Sequence, residues 1–374
     1  MRVIQVVNVR WFNATAWYGV ELARLARNAG HESLVLGLEG TEPLRRAEAL
    51  GLEVKALPLN AGSPLAWPGL ARRMRALVRD FRPDVVNCHR GEAFVMWAAL
   101  RGTGERFALV RTRGDQRLPR GNLPNRMLHE RFADAVVATN SRMAEHFRTV
   151  MHVPEERLYT IYGGVDTGRF VFDAAARARV RAEWGCPEGE FVVGLLGRFD
   201  RVKGQKETIE AVARLVREGL PVRLVLIGFT TATTEDEVRT WIDEAGIGDR
   251  VRITGKVADV AACLSALDAG VVASLWSEAI ARAALEIMAC DRPLLSTDVG
   301  VMPDLLPKEA LCSPGDVLAL AGLIRRAAGD PAWCEHLRAV NRVRMPGLSS
   351  EAFRQHTLAV YRDACVRQGI PAGA

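Results

Sequence analysis

Short apolar runs of strand length alternate with longer amphipathic segments along almost the whole chain. In the first half the runs predict strands at residues 3–7, 33–37, 54–57, 84–88, 107–111, 135–138 and 157–161. Helices between them are predicted to begin near Tyr18, Pro68, Ala93, Pro124 and Ser141. This is the βαβ rhythm of a doubly wound parallel sheet. A glycine-rich break follows at Gly163-Gly164-Val165-Asp166, and the rhythm restarts. Strands are then expected at 191–196, 223–227, 250–254, 269–273, 293–297 and 310–312. Helices are expected at 205–218, 235–244, 257–266, 281–290 and 317–328, with a last amphipathic stretch at 351–367. The class is α/β, in two domains: residues 1–164, with 351–374 packing back onto them, and residues 165–350. Two such domains imply a cleft, and ligands of such sheets bind beyond the carboxyl ends of the strands.

The length of 374 residues suits two domains, and 49% apolar with 25% charged residues describes a globular chain with ample core. No stretch approaches the roughly 20 apolar residues of a membrane span. The start, MRVIQVVNVR, reads as a strand rather than a signal peptide. Seven cysteines, widely spaced and without a C-x-x-C pair, argue against a disulfide framework or a zinc site and for the cytoplasm.

Charge divides the chain. Residues 1–165 carry 24 Lys and Arg against 16 Asp and Glu, whereas the remainder carries 26 against 28. A basic first half fits either an anionic partner or a solvated surface rich in arginine. Residues 68–82 place Leu70, Met74, Leu77 and Val78 on one helical face and Arg72, Arg73, Arg75, Arg79 and Arg82 elsewhere. That helix either docks on anionic lipid, as a peripheral contact at the inner face of the membrane, or packs inward with a solvated arginine face. Nucleic acid is not expected, because no aromatic stacking platform accompanies the arginines.

Two segments carry chemistry. Residues 277–303, SEAIARAALEIMACDRPLLSTDVGVMP, set Glu286 in an otherwise apolar helix, where a carboxylate is costly unless something engages it. Glu278 lies eight residues earlier; in a continuous helix the two would stand about 80° and roughly 12 Å apart. If Glu278 instead ends a loop, it flanks the open N–H groups of a first turn, which attract phosphate. The segment thus offers either a phosphate seat with a hydroxyl-binding carboxylate, or a core helix with one salt-bridged glutamate. Residues 191–203, FVVGLLGRFDRVK, end a strand at Gly197 and put Arg198 and Lys203 on a loop before Gly204, a plausible diphosphate clamp. The spacing is not that of a P-loop, and no G-x-G-x-x-G follows a strand.

Together, Gly197-Arg198-Phe199-x3-Lys203-Gly204, Glu278-x7-Glu286 and Pro303-Asp304 resemble the retaining GT-B glycosyltransferases of family 4 (glycosyl transferases group 1). The resemblance extends to Gly19-x-Glu21, Gly30-His31-Glu32 and Asp84-Val85-Val86-x2-His89. It implies two Rossmann-like domains facing across a cleft, closing on a hinge at Gly163-Gly164. It implies a nucleotide-sugar donor, with UDP chosen on base rate and ADP and GDP left open, and transfer to a cell-envelope glycan such as lipopolysaccharide or to a lipid-linked acceptor. Arg198 and Lys203 would hold the diphosphate, Glu286 the ribose and Glu278 the sugar, with the amides of Ala279, Ile280 and Ala281 nearby and Gly19 near the donor phosphate. No cofactor and no metal are expected, since paired cations replace Mg²⁺ at the leaving group. His89, Arg113 and Asp115 are the acceptor-side candidates; for His89, capping a strand end is an equal reading. Lys203→Ala is expected to cost diphosphate binding and leave the fold intact.

The chain departs from the family pattern at Ala279, where glycine is usual, at Cys290-Asp291, at Val301-Met302 and at Gly114, where a histidine is common. Those changes keep a non-catalytic nucleotide-sugar-binding or partner protein as the rival reading. A nucleotide-sugar 2-epimerase would lack the Glu-x7-Glu pair in this form.

Overall fold

The computed structural model describes residues 1–60 and 64–371. The chain divides into two compact units, Met1–Gly163 with Glu351–Ala374, and Gly164–Ser350. The first holds strands β1 (Arg2–Val7), β2 (Glu32–Gly37), β3 (Glu53–Ala56), β4 (Val85–Cys88), β5 (Ala108–Arg113), β6 (Ala135–Ala138) and β7 (Leu158–Thr160). They pair in the order β3-β2-β1-β4-β5-β6-β7, every pair parallel. The second unit holds β8 (Phe191–Leu196), β9 (Val222–Ile227), β10 (Val251–Ile253), β11 (Ala269–Val272), β12 (Leu294–Thr297) and β13 (Leu311–Cys312). Their order is β10-β9-β8-β11-β12-β13, again all parallel.

Each sheet therefore winds outward from its first strand, returns, and winds the other way. The reversal falls between β1 and β4 in one unit and between β8 and β11 in the other. Loops leaving strands on either side of a reversal diverge, and the gap between them is where such folds bind ligands. In the second unit those loops are residues 197–204 and 273–281, the two segments that the sequence singles out.

The inner strands are buried on both faces, as near-continuous runs such as Val222–Ile227 require, while the edge strands β3 and β10 are partly exposed. Ile4, Val6, Leu34, Leu36 and Val86 share one core with Met74, Trp97, Phe107 and Phe147. The helix Ser350–Arg367 closes the first unit: Phe353 meets Tyr18 edge-on at 4.6 Å between centroids, and the Tyr361 hydroxyl accepts from Gln5 and Asn87 at 2.8 Å each.

Among the described residues, three helices of eight residues or more escaped the sequence pattern: Glu42–Ala49, Ala174–Glu183 and Pro331–Arg344. Their apolar stripes are thin; the first buries only Pro43, Leu44 and Ala47. Capping marks the other two, Asp173 accepting from Ala175 N at 2.8 Å and Asp330 from Trp333 N at 2.9 Å. The first helix begins at Ala14 rather than near Tyr18, because Asn13 caps it through Ala16 N at 3.0 Å. The arginine-rich helix Trp67–Phe81 buries Leu70, Met74, Val78 and Phe81 in the core, so its apolar stripe faces inward.

Candidate functional site

The loop after β8 is built around missing side chains. Gly197 N donates to Ile227 O at 3.0 Å, and a Cβ on Gly228, just past β9, would stand 1.9 Å from Gly197 O. At the far end Gly204 adopts φ +71°, and a Cβ there would stand 2.0 Å from Ala273 O. Only glycine lets the backbone pass at both places. Val202 O accepts from Leu275 N at 2.9 Å, which ties this loop to the one after β11.

The side chains of the two loops are interlocked. Lys203 Nζ donates to Glu278 Oε1, and Ser274 Oγ donates to the same oxygen at 2.5 Å. Glu278 is 7% exposed, and its carbonyl accepts from Val301 N at 2.8 Å. Arg198 is half exposed and rests on Asp200 at 2.7 Å, while its carbonyl accepts from Gln205 Nε2 at 2.9 Å. Arg198 is thus paired within its own loop, and Lys203 with a carboxylate of the loop after β11. The Arg198 side chain is 50% exposed and that of Lys203 23%.

The helix after the second loop runs Arg282–Ala289, so Glu278 lies in the loop and the continuous-helix geometry is set aside. Its N-cap, Ala281, has φ +48° and no side-chain cap. The first-turn N–H groups therefore point outward without intrahelical acceptors. Ala279, Ile280 and Ala281 are all buried, presenting backbone rather than side chains. Glu286 sits one turn beyond Arg282, which reaches it at 3.3 Å. Burial pushes the Glu286 carboxyl above its ordinary 4.5, opposed by Arg282 and Arg169. This glutamate is thus salt-bridged and mostly buried, its side chain 13% exposed.

That raised value has a consequence for stability. Between pH 4.5 and the folded value the native state holds the proton more firmly than the unfolded chain. Stability is therefore lost as pH rises through that window and stays lower above it. Glu286→Gln is expected to raise Tm at pH 7, with the gain fading below about pH 4.5. Paired melts of the two proteins at pH 4 and 7 check it. An unchanged or lowered Tm at pH 7 would remove the assignment of a carboxylate destabilised by burial.

In the first unit the candidates fare differently. Gly19 lies inside the helix Ala14–Asn28, not in the preceding loop. A Cβ there would meet Val7 Cγ2 at 2.6 Å and the His89 ring at 3.0 Å, which makes it a packing glycine. His89 is 1% exposed, its Nε2 on Gln5 Oε1 at 2.9 Å, and burial depresses its pKa to about 3. It is a neutral member of a buried chain, Gln5–Tyr361–Asn87–Thr112, rather than an open acceptor contact. Arg113 and Asp115 form an ion pair at 3.0 Å with Arg113 largely covered, and Gly114 O between them accepts from Thr15 Oγ1 at 3.2 Å.

Sequence reasoning missed Ser274, Asp200 and Arg282. The first shows itself only in the Ser274-x3-Glu278 spacing next to a strand end; Asp200 is two residues from Arg198, and Arg282 is one turn before Glu286. Among the described residues no group of three or more His, Cys, Asp or Glu is arranged to hold a metal ion, and no helix is long and apolar enough to cross a membrane.

The family model described as glycosyl transferases group 1 matches residues 176–343, and that described as glycosyltransferase family 4 matches residues 16–169. A 2-deoxystreptamine glucosyltransferase of Streptomyces kanamyceticus is 27% identical over 54% of this chain and 53% of its own length. A D-inositol 3-phosphate glycosyltransferase of Catenulispora acidiphila is 28% identical over 62% and 58%. The chain thus spans little more than half the length of these relatives. Among solved structures, a glycosyltransferase of Rickettsia africae superposes with TM-score 0.86 at 15% identity, over 97% of this chain and 98% of that one. Anabaena HepE in complex with UDP and glucose superposes with TM-score 0.80 at 19% identity, over 97% and 99%.

Proposed function

We propose, from the premise that this chain belongs to the glycosyltransferases of group 1 and family 4, that it moves a sugar from a nucleoside diphosphate donor to an acceptor hydroxyl with retention. The observation that carries the reading is the contact of Lys203 with Glu278. It joins, across the sheet reversal, the cation loop and the carboxylate loop that the family's motifs require.

In this reading Lys203 and Arg198 neutralise the departing diphosphate, assisted by the positive end of the helix Arg282–Ala289. Glu278, freed from Lys203 as the diphosphate arrives, turns to the sugar hydroxyls, with Ser274 keeping it in place. Glu286 takes the ribose hydroxyls. The bond from the anomeric carbon to the phosphate oxygen breaks, the acceptor oxygen bonds to the same face, and the acceptor proton passes to the leaving phosphate. The protein's part is to position the groups and stabilise charge, and no metal is called for. UDP is the preferred nucleotide; the fold relative solved with UDP and glucose supports that choice.

For the acceptor, a hydroxyl of a polar glycan or polyol is the reading best supported. The two relatives named above act on 2-deoxystreptamine and D-inositol 3-phosphate by name. A cell-envelope or lipid-linked glycan stays within the proposal. Contact with an anionic membrane would rest on Arg72, Arg73, Arg79 and Arg82, since the apolar stripe of their helix faces the core. The proposed location is the cytoplasm, where nucleotide-sugars are made.

The test is a thermal-shift panel of UDP, GDP, ADP, CMP and dTDP, with and without Mg²⁺, followed by donor hydrolysis or transfer. One nucleoside diphosphate at a hundred times its Kd should raise Tm by roughly 5–10 °C, independent of metal. Turnover lost on Glu278→Gln separates an enzyme from a non-catalytic binder. No shift with any nucleotide would overturn the proposal.

A further inference from the structure

Arg282 occupies the first position of its helix, where a positive charge opposes the helix dipole, and no acidic residue stands in that first turn. Its partner Glu286 lies toward the C-terminal end of the same pair, the less favourable order for an i, i+4 ion pair. The Arg282 Nη2–Glu286 Oε1 distance is 3.3 Å, and the Arg282 side chain is 45% exposed, so solvent screens the pair. The arrangement is weak on every intrahelical count. It becomes favourable when an anion sits at the helix N-terminus, within reach of the guanidinium and the open N–H groups.

We propose that Arg282 is a third cation of the donor site: it rests on Glu286 in the free protein and moves to the diphosphate when donor binds, releasing Glu286 for the ribose. The inference rests on the donor-site reading above. All three cations then follow one rule. Arg198 rests on Asp200, Lys203 on Glu278 and Arg282 on Glu286. The diphosphate exchanges for the carboxylates, and two of those carboxylates are the hydroxyl binders. Binding of the phosphate end thereby prepares the sugar and ribose ends. A nucleoside without phosphates gains nothing from Arg282 and must instead compete with it for Glu286.

The experiment measures Kd by calorimetry for UDP and uridine (or the diphosphate and nucleoside selected by the panel) in wild type, Arg282→Ala, Arg282→Lys and Lys203→Ala. Arg282→Ala is expected to weaken UDP about tenfold and to leave uridine unchanged or tighter, and Arg282→Lys to keep UDP within about threefold of wild type. A merely structural ion pair would instead shift UDP and uridine by the same factor, and that result overturns the proposal. UDP loss in Lys203→Ala with Arg282→Ala unchanged overturns the role of Arg282 alone. Insensitivity of UDP to both substitutions overturns the donor site itself.

Discussion

Lys203→Ala should weaken UDP binding by about a hundredfold and lower the melting temperature of the second unit by roughly 5–10 °C. The two effects have separate causes. The first is the loss of a charge-assisted contact to the diphosphate, worth about 1.5–3 kcal/mol. The second follows from Glu278, which is 7% exposed and whose carboxylate, among the described residues, is held by Lys203 and Ser274. Removing the lysine leaves a buried carboxylate with one hydroxyl, a loss of about 3 kcal/mol for a unit of this size. The sequence reading of this substitution as neutral for the fold is therefore revised: the residue that binds the ligand also neutralises a buried acid. A double substitution separates the effects. Lys203→Met with Glu278→Gln should recover most of the melting temperature, because no buried charge is left unpaired, and should recover neither binding nor transfer. Additive melting losses in the double variant would show that the two side chains do not share an ion pair in solution.

The fold was legible because its signal is redundant. Strands such as 135–138 and 191–196 were placed to the residue, since a fully buried parallel strand needs an unbroken apolar run and both have one. Helix starts were less legible, for they depend on a single capping side chain: Asn13 lengthens the first helix by four residues. The clamp was legible in part. Arg198, Lys203, Glu278 and Glu286 stand out by type and spacing, and the structure brings their loops together. What spacing cannot show is which charge rests on which, because Lys203 and Glu278 are 75 residues apart. Nor could it distinguish a glycine kept open for a ligand from one kept open for packing. Gly19 was read as the former, and the His89 ring against it makes it the latter. His89 itself shows why: a histidine at a strand end looks the same in sequence whether it faces a cleft or, as here, is packed beneath the helix Ala14–Asn28 and linked through Gln5 to Tyr361.

Gly204→Ala should destabilise the second unit by about 3–4 kcal/mol and weaken UDP binding at least tenfold, although the substitution adds one methyl group and touches no charge. Two costs combine. Alanine at φ +71° carries the left-handed penalty of about 1–2 kcal/mol. Its Cβ would also stand 2.0 Å from Ala273 O, a backbone atom that cannot turn aside, and overpacking of this kind costs about 1–3 kcal/mol. The relief available is to push the loop away from the end of β11. That movement breaks the Val202–Leu275 hydrogen bond and carries Lys203 off Glu278, so the stability loss and the binding loss share a cause. Gly219 supplies the control. It has φ +82° and nothing within 4 Å of its would-be Cβ, so Gly219→Ala should show the conformational cost alone, about 1–2 kcal/mol, with UDP binding unchanged. Denaturant melts and UDP titrations of the two variants side by side isolate the steric part. Equal losses in both would mean that the loop has room to spare and that close backbone approach is not what holds the cation loop against the carboxylate loop.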